Sequence, residues 1–376
     1  MNTPSQSRRD FLKASAIAAA GLPLASALIP QAFAAEPDKK LGVALVGLGN
    51  LSTHQIAPAL QHTKYCRIAG IVTGTPAKAE KWKAQYNIPD RSIYNYDTMG
   101  KIADNPDIDI VYVVTPNALH AEHTIKAANA GKHVLCEKPM EVSVEKCQQM
   151  IDACKKAGRQ LAIGYRCRFE PHNLECIRLA REKTFGELRI IDACFDVHLG
   201  QPPEAWRYHK ALAGGGCLMD VGIYALQATR YITGEEPVLV SAIETKTDPV
   251  KFKEVEETIV WTAKFPSGVV ADCSTSYNSG LFDRYTAKAD RGWFALNPGF
   301  LYASNRGLRS DGKEIRYPEV DALGESYQFA AELDDFAQCI MNHQPTRVPG
   351  EEGLRDVKIM MAIYESARTG KTLSLA

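Results

Sequence analysis

The sequence predicts an α/β protein of two domains, the first built on a parallel sheet. Three observations carry that prediction. An apolar run at 41–46 ends in Gly47-Leu48-Gly49, and a helical pattern follows through Ile56, Ala59 and Leu60. From there to Gly164, apolar strand-like runs alternate with helical ones, which implies parallel strands joined by right-handed crossovers. Beyond Gly164, strand-like runs cluster at 187–198, 238–247, 256–265 and 268–277, and helical periodicity returns at 325–342 and 351–368.

The chain has 376 residues, and residues 1–34 read as a leader. Arg8 and Arg9 form a positive start, and residues 14–29 are almost wholly apolar or small, with Gly21 and Pro23 inside. Ala32-Phe33-Ala34 fits a small-residue cleavage site. The run is short and interrupted for a membrane-spanning helix. Ser-Arg-Arg-Asp-Phe-Leu-Lys at 7–13 matches the twin-arginine signal. The expectation is a periplasmic protein, exported folded by the twin-arginine machinery and not membrane-anchored when mature. Residues 35–40 form an N-terminal arm in this reading. The remaining ~340 residues favour two domains. These are 41–162 and 163–376, with the last helix expected to pack back on the first.

Leu41 to Val46 reads as a buried strand. Gly47 permits a tight turn, and Gly49 lets a backbone approach a pyrophosphate at a helix start. Ser52 stands in place of a third glycine and is small enough for close helix–strand packing. The pattern is G-x-G-x-x-S, a dinucleotide-binding turn, with Leu48, Asn50 and Leu51 completing it. The second strand, 67–72, ends in Thr73-Gly74-Thr75. The Asp or Glu that binds the ribose 2′-hydroxyl of NAD is missing there, and Lys78 follows on the next helix. Hydroxyls and an ammonium accommodate a 2′-phosphate, so NADP(H) is the inferred cofactor.

Residues 108–114 form the next strand, ending in Thr115-Pro116-Asn117, with His120 and His123 on the helix that Gly131 closes. Residues 132–136 form another, ending in Glu137-Lys138-Pro139. Ser143 N-caps a helix through Lys156 that Gly158 ends, and 160–164 is a further strand. Ligands of such sheets sit at the carboxyl ends of strands. Gly47, Thr73, Thr115 and Glu137-Lys138 all lie at such ends.

Composition narrows the partners. Basic and acidic residues number 44 each, so nothing suggests a polyanion-binding surface, and nucleic acid is not an expected partner. No segment after the leader reads as long and apolar enough to span a bilayer. The ten cysteines are scattered and form no C-x-x-C pair. A large chain needs no disulfide framework, so they read mostly as free, buried, small hydrophobes. Zinc-ligand spacings are absent, and no metal is expected.

Several stretches then fall together: Gly47-Leu-Gly-Asn, Thr115-Pro-Asn, Glu137-Lys138-Pro139-Met140, Gly164-Tyr-Arg-Cys-Arg-Phe-Glu-Pro-His-Asn173 and Gly214-Gly-Gly-Cys-Leu-Met-Asp-Val-Gly-Ile-Tyr224. On these the chain resembles the Gfo/Idh/MocA oxidoreductase family, over essentially all of its mature length. Trp206-Arg207-Tyr208, the glycine triplet and Thr229-Arg-Tyr-Ile-Thr-Gly-Glu-Glu-Pro237 make it similar to the glucose-fructose and aldose oxidoreductase branch. The resemblance implies an N-terminal Rossmann domain. It also implies a C-terminal α+β domain with a large, mostly antiparallel open sheet. One face of so open a sheet needs cover, so a homodimer or homotetramer is expected.

The resemblance makes Lys138 a lysine that binds and polarises a sugar hydroxyl. Asp220 and Tyr224, four residues apart, fall on one helical face. Many family members carry histidine where Tyr224 stands. A phenol ionises near pH ~10, so Tyr224 needs a neighbouring cation such as Lys138 to act as a base near neutrality. The assignment is Tyr224 as general base or acid, Lys138 as its electrostatic partner and Asp220 as orienter. Gln227 stands where many relatives carry an acid, so their histidine–aspartate arrangement does not transfer. Arg166, Arg168, Trp206, Arg207 and Tyr208 offer donors and an aromatic face for a sugar site. Arg166, Trp206 and Arg207 are also expected at the cofactor, together with Thr115, Pro116, Asn117, His120, Glu137 and Lys138.

An exported enzyme that exchanged its dinucleotide would stall. The expected activity is therefore a ping-pong cycle on tightly bound NADP(H). One aldose is oxidised to its lactone, and a second sugar is reduced to an alditol. Two other readings stay open: a sugar 1-dehydrogenase with exchangeable NADP, and an inactive sugar-binding protein.

Overall fold

The computed structural model of the protein describes residues 40–375. The leader and residues 35–39 of the arm lie outside the described residues. Lys40, the arm's last residue, donates from Nζ to the Thr63 carbonyl at 2.6 Å.

Two sheets organise the described chain. The first has six parallel strands in the order β3-β2-β1-β4-β5-β6. They are β1 (Leu41–Val46), β2 (Cys66–Val72), β3 (Ile93–Tyr94), β4 (Ile110–Val113), β5 (His133–Glu137) and β6 (Leu161–Gly164). Helices α1 (Ala57–His62), α2 (Pro76–Tyr86), α3 (His120–Asn129) and α4 (Val144–Lys156) connect them. β1, β4, β5 and β6 are buried along nearly their whole length, as the continuous apolar runs require of strands covered on both faces. The strand order reverses between β1 and β4, which places the ligand crevice of such a sheet there. Ser143 accepts the Lys146 N–H at 3.2 Å and starts α4, and Gly158 takes φ +64° beyond its end. The helix after the glycine turn opens with a π-type turn, Ser52–Ile56, where an ordinary helical turn was expected.

The second sheet has nine strands in the order β14-β13-β12-β11-β7-β10-β9-β8-β15. They are β7 (Leu188–His198), β8 (Leu239–Thr245), β9 (Thr258–Lys264), β10 (Val270–Ser276), β11 (Asn278–Ala289), β12 (Gly292–Leu296), β13 (Gly307–Arg309), β14 (Glu314–Ile315) and β15 (Leu373–Ser374). Its pairs are antiparallel except β7–β10. The Pro266-Ser267-Gly268 hairpin turn forms, with Phe265 and Val269 paired across it. β11 carries no clear sequence signal. Its register breaks between Asn278 and Phe282, and only its second half alternates cleanly.

Helices α5 (Pro171–Arg181), α6 (Ile223–Thr233), α7 (Tyr327–Met341) and α8 (Gly350–Thr369) complete the fold. α6 packs on β7, β10 and β11, and α8 on β8. α8 also rests on α4 and β6 of the first domain. Gly350 and Gly353 allow that approach, since a Cβ would meet Leu161 Cδ2 at 2.8 Å and Met140 Cβ at 2.7 Å. The opposite face of the large sheet exposes Ile190, Val260, Val270, Trp293 and Leu308, of which Ile190 and Val270 are direct cross-strand partners.

One expectation needs correction. The helical segment Lys210–Thr233 is long and apolar enough, by length and composition, to cross a membrane. Within the protein 78% of its apolar window is buried, so its apolar character serves the core. All ten cysteines are free, and nine of them are buried.

Candidate active site

The turns at the carboxyl ends of the parallel strands open on a cleft of about 470 Å³. Gly47 begins it at φ +91°, and a Cβ there would meet the Val114 carbonyl oxygen at 2.7 Å. No side chain fits that turn. Ser52 Oγ donates to the Gly47 carbonyl at 2.6 Å and Thr53 Oγ1 to that of Gly49 at 2.8 Å, which fixes the turn against the helix start. A Cβ on Gly49 would meet no protein atom within 4 Å. The room beside this backbone is therefore open, as close approach of a pyrophosphate requires. A nicotinamide dinucleotide fits these residues. Leu48, Asn50 and Leu51 line the same turn.

The wall continues through Thr73, Gly74 and Lys78 after β2, Thr115, Pro116, Asn117 and His120 after β4, and Glu137 and Lys138 at the end of β5. Several of these side chains hold backbone rather than project into the space. Lys78 Nζ donates to the Leu48 carbonyl at 3.1 Å. Asn117 Nδ2 donates to the Ala213 carbonyl at 2.9 Å. His120 is buried, with Nε2 2.8 Å from the Thr115 carbonyl and Nδ1 3.0 Å from that of Pro139. It ties the turn after β4 to the turn after β5. Thr75 lines the cleft with them, and so do Tyr96 and Val114, which were not expected there. Tyr96 stacks on His123 at 5.1 Å between ring centroids.

Trp206, Arg207 and Asp220 close the cleft from the second domain. Lys138 Nζ reaches across to Asp220, donating to its carbonyl at 2.7 Å and to Oδ1 at 3.3 Å. Arg207 Nε and the Tyr277 hydroxyl both donate to Asp220 Oδ2, at 2.8 and 2.9 Å. Burial pushes the Asp220 carboxyl up, but Arg207 and Lys138, with the bonds from Arg207 and Tyr277, outweigh it and hold it well below the usual range. Asp220 is thus an anion that fixes the Lys138 ammonium. The Arg207 guanidinium lies 4.5 Å over the Trp206 ring. The glycine triplet is explained one turn earlier. Glu256 accepts the Gly216 and Leu218 N–H groups at 2.7 and 2.9 Å, and a Cβ on Gly216 would meet the Glu256 carbonyl oxygen at 2.1 Å.

Tyr224, at the start of α6, is nearly buried, with Phe195 and Phe300 against its ring. Lys138 Nζ lies 4.8 Å over that ring, so the expected pairing exists on the ring face, not at the hydroxyl. The cation at the phenol oxygen is Arg166, whose Nε donates to it at 3.1 Å. Burial raises the phenol well above its ordinary range, and Arg166 only partly offsets that. Before a sugar binds, Tyr224 is therefore held as the phenol, the acid of the two roles expected of it. No acceptor among the described residues takes its proton.

Three further expectations change. Arg166 does not line the cleft as a free donor. Its guanidinium is sandwiched between the rings of Tyr224 and Tyr302, 4.6 Å from each, and donates to Gln328 Oε1 and the Phe300 carbonyl, both at 2.6 Å. Arg168 lies 4.2 Å over the Tyr231 ring, outside the cleft. Tyr208 is buried, with its hydroxyl on the Leu199 carbonyl at 2.6 Å and its ring edge-on to Phe252. For Arg168 and Tyr208 polarity was readable in the sequence and direction was not. Gln227 turns to the last helix and donates to Asp356 Oδ2 at 2.8 Å. Tyr277 and Tyr302 were missed. Tyr302 comes from an irregular segment between β12 and β13, where no periodicity marks it.

Known proteins match this arrangement over its whole length. Residues 41–165 match the oxidoreductase family's NAD-binding Rossmann fold, 174–295 a GFO/IDH/MocA C-terminal domain and 305–375 an oxidoreductase-family C-terminal alpha/beta domain. The crystal structure of an aldose-aldose oxidoreductase from Caulobacter crescentus, complexed with glycerol, is 44% identical. The match covers 90% of this chain and 100% of that one, at a TM-score of 0.85. A D-xylose 1-dehydrogenase [NADP(+)] from Haloarcula marismortui is 29% identical over 90% of this chain and 94% of its own. A D-xylose 1-dehydrogenase (NADP(+)) from Haloferax volcanii is 28% identical over 88% of this chain and 98% of its own. With its dinucleotide cleft and the Lys138–Asp220 pair across it, the chain belongs to the GFO/IDH/MocA family of nicotinamide-dependent oxidoreductases.

Proposed function

We propose that the protein is a periplasmic aldose oxidoreductase that keeps NADP(H) bound while it oxidises one sugar and reduces another. The observation that carries this is the Lys138–Asp220 pair spanning the dinucleotide cleft, with the protonated Tyr224 beside it. The 44% identical aldose-aldose oxidoreductase supports two aldoses as reactants. The two xylose dehydrogenases support NADP(+), as do Thr73, Thr75 and Lys78 where an acidic residue would favour NAD. Arg8 and Arg9 in the leader support twin-arginine export of a protein folded around its cofactor.

NADP(H) in the cleft supplies hydride acceptance in one half-cycle and hydride return in the other. The remaining work falls to side chains. Lys138, anchored by Asp220, donates to the reacting sugar oxygen and stabilises negative charge as it develops there. Tyr224 gives its proton to the carbonyl oxygen of the sugar being reduced. It takes one from the C1 hydroxyl of the aldose being oxidised, which leaves as the lactone. Arg166 at the phenol oxygen and Lys138 over the ring stabilise the phenolate between the two events. Hydride and proton lost by the first sugar equal those gained by the second. Self-association through the open sheet face, as a homodimer or homotetramer, is part of this reading, supported by Ile190, Val260, Val270, Trp293 and Leu308. Light scattering of the mature protein tests it.

The decisive experiment is to purify the mature protein without added nucleotide, denature it and identify what is released. Near-stoichiometric NADP or NADPH supports the closed cycle. An empty protein that turns over xylose or glucose with added NADP makes it an exchanging sugar dehydrogenase, as the xylose dehydrogenases are named. An empty protein without turnover makes it a sugar binder.

A further inference from the structure

Beneath the cleft floor lies an acid that the proposed chemistry does not use. Glu332, on α7, is 1% exposed. Its Oε2 lies 3.4 Å from the Tyr112 hydroxyl, and its Oε1 has no hydrogen-bond partner among the described residues. Tyr112, fully buried on β4, donates to Glu137 Oε1 at 2.7 Å. The other Glu137 oxygen accepts the Lys138 backbone N–H at 3.1 Å.

A phenol has one proton to give. That proton sits on the short contact to Glu137. The longer contact to Glu332 is then a hydrogen bond only with Glu332 as donor, which requires the carboxyl to be protonated. Two carboxylates facing one buried phenol would also repel each other at high cost. Of the pair, Glu137 is the one next to Lys138, so the negative charge belongs there. Burial, and then Glu137, pushes the Glu332 carboxyl well above the usual range.

We propose that Glu332 is a positioning residue held as the neutral acid: it donates to Tyr112, Tyr112 donates to Glu137, and this one-way chain keeps Glu137 as a single, fixed carboxylate beside Lys138. One turn earlier on the same helix, Gln328 accepts from Arg166 and donates from Nε2 to the Leu301 and Tyr302 carbonyls at 2.8 and 2.9 Å. α7 thus supports both halves of the site from one face: Glu332 steadies the Lys138 end, and Gln328 the Arg166–Tyr302 end. The catalytic part of the proposal rests on the reading of Lys138 as the sugar-binding lysine.

The groups facing Glu332 are Tyr112 from β4, Glu137 from β5, Arg166 and Cys167 after β6, and Asp335 on its own helix. Arg166 is the cation among them, while Lys138 acts on Glu137. Above its folded-state pKa, Glu332 would ionise, lose its donor and place a second negative charge beside Glu137. Activity should therefore carry an alkaline limb that an amide in its place removes.

The test uses the holoenzyme and the variants Glu332→Gln and Glu332→Leu. Infrared difference spectra of wild type against Glu332→Gln at neutral pH should show a protonated carboxyl carbonyl band in the wild type. Glu332→Gln, whose amide still donates to Tyr112, should keep kcat within about twofold and lose the alkaline limb. Glu332→Leu should lower kcat on the order of tenfold. No carboxyl band, or a Gln variant as slow as the Leu variant, overturns the proposal. If the Leu variant does not fold, the band and the Gln pH profile still decide. A Lys138→Ala enzyme with full turnover and the band intact would fail the reading of Lys138 while leaving the neutral acid standing.

Discussion

The two walls of the cleft are built by different means. The Rossmann wall is made of backbone: Gly47 and Gly49 shape it, and Ser52, Lys78 and His120 hold carbonyl groups in place. The opposite side is made of side chains holding side chains: Asp220 with Lys138, Arg207 and Tyr277 at the cleft, and next to it Arg166 with Tyr224, Tyr302 and Gln328. A backbone wall suits a ligand of constant shape. A side-chain wall can set charge and proton position atom by atom, which is what chemistry on a hydroxyl needs. Substitutions should therefore act on cofactor retention at the first wall and on turnover at the second.

The largest effect is expected at Tyr224→Phe. The ring keeps its contacts with Phe195 and Phe300 and only the proton donor goes, so kcat should fall roughly 10²–10⁴-fold with the released nucleotide unchanged. Lys138→Ala should follow at about 10²–10³-fold, the cost of removing one preorganised donor. Steady-state turnover beside nucleotide release measures both. Full turnover in either variant would break the division between the walls.

At the Rossmann wall, two glycines only two residues apart should behave differently. Gly47→Ala forces a Cβ into the Val114 carbonyl at a positive φ and should destabilise the fold by about 1–3 kcal/mol. Gly49→Ala meets no protein atom, so thermal unfolding of the cofactor-free protein should not move while nucleotide retention drops. Equal effects on both measurements in the two variants would show that the Gly49 side of the turn is not ligand space.

Asp220 predicts a smaller, pH-dependent effect. Its folded-state pKa lies below its unfolded value, so its contribution to stability is fully present above about pH 4. It is lost as pH falls through the folded value. Wild type should lose stability more steeply than Asp220→Asn below about pH 4, in denaturant titrations repeated across pH. Parallel losses would mean that the Arg207 and Lys138 contacts do not hold the carboxylate in solution.

The sequence made the backbone wall readable because its signals are local. Gly47, Gly49, Ser52, Thr73 and Glu137-Lys138 sit at strand ends that apolar runs and turn residues announce. The side-chain wall is assembled from segments far apart. Arg166 meets Gln328 across 162 positions, and no periodicity marks Tyr302 as the partner of Arg166 or Tyr277 as that of Asp220. Polarity alone put Arg168 and Tyr208 into the sugar site. The aromatic ring of Tyr231 and the carbonyl of Leu199 turned out to be their partners. β11 was missed for a related reason: its register break hides the alternation that marks a strand.

Tyr208 offers the smallest test and the sharpest contrast with Tyr224. Both are buried tyrosines of the second domain, and both looked able to serve a sugar. The Tyr208 hydroxyl is already spent on the Leu199 carbonyl, and its ring packs on Phe252. Tyr208→Phe removes that one bond and leaves the Leu199 carbonyl short of a donor, at a cost of about 0.5–1.5 kcal/mol in stability. Lys251 Nζ also donates to that carbonyl, at 2.8 Å, which favours the lower end. kcat and KM for either sugar should not change. A raised KM with unchanged thermal unfolding would place Tyr208 back at the substrate, and the hydroxyl would then have to leave Leu199 when a sugar binds.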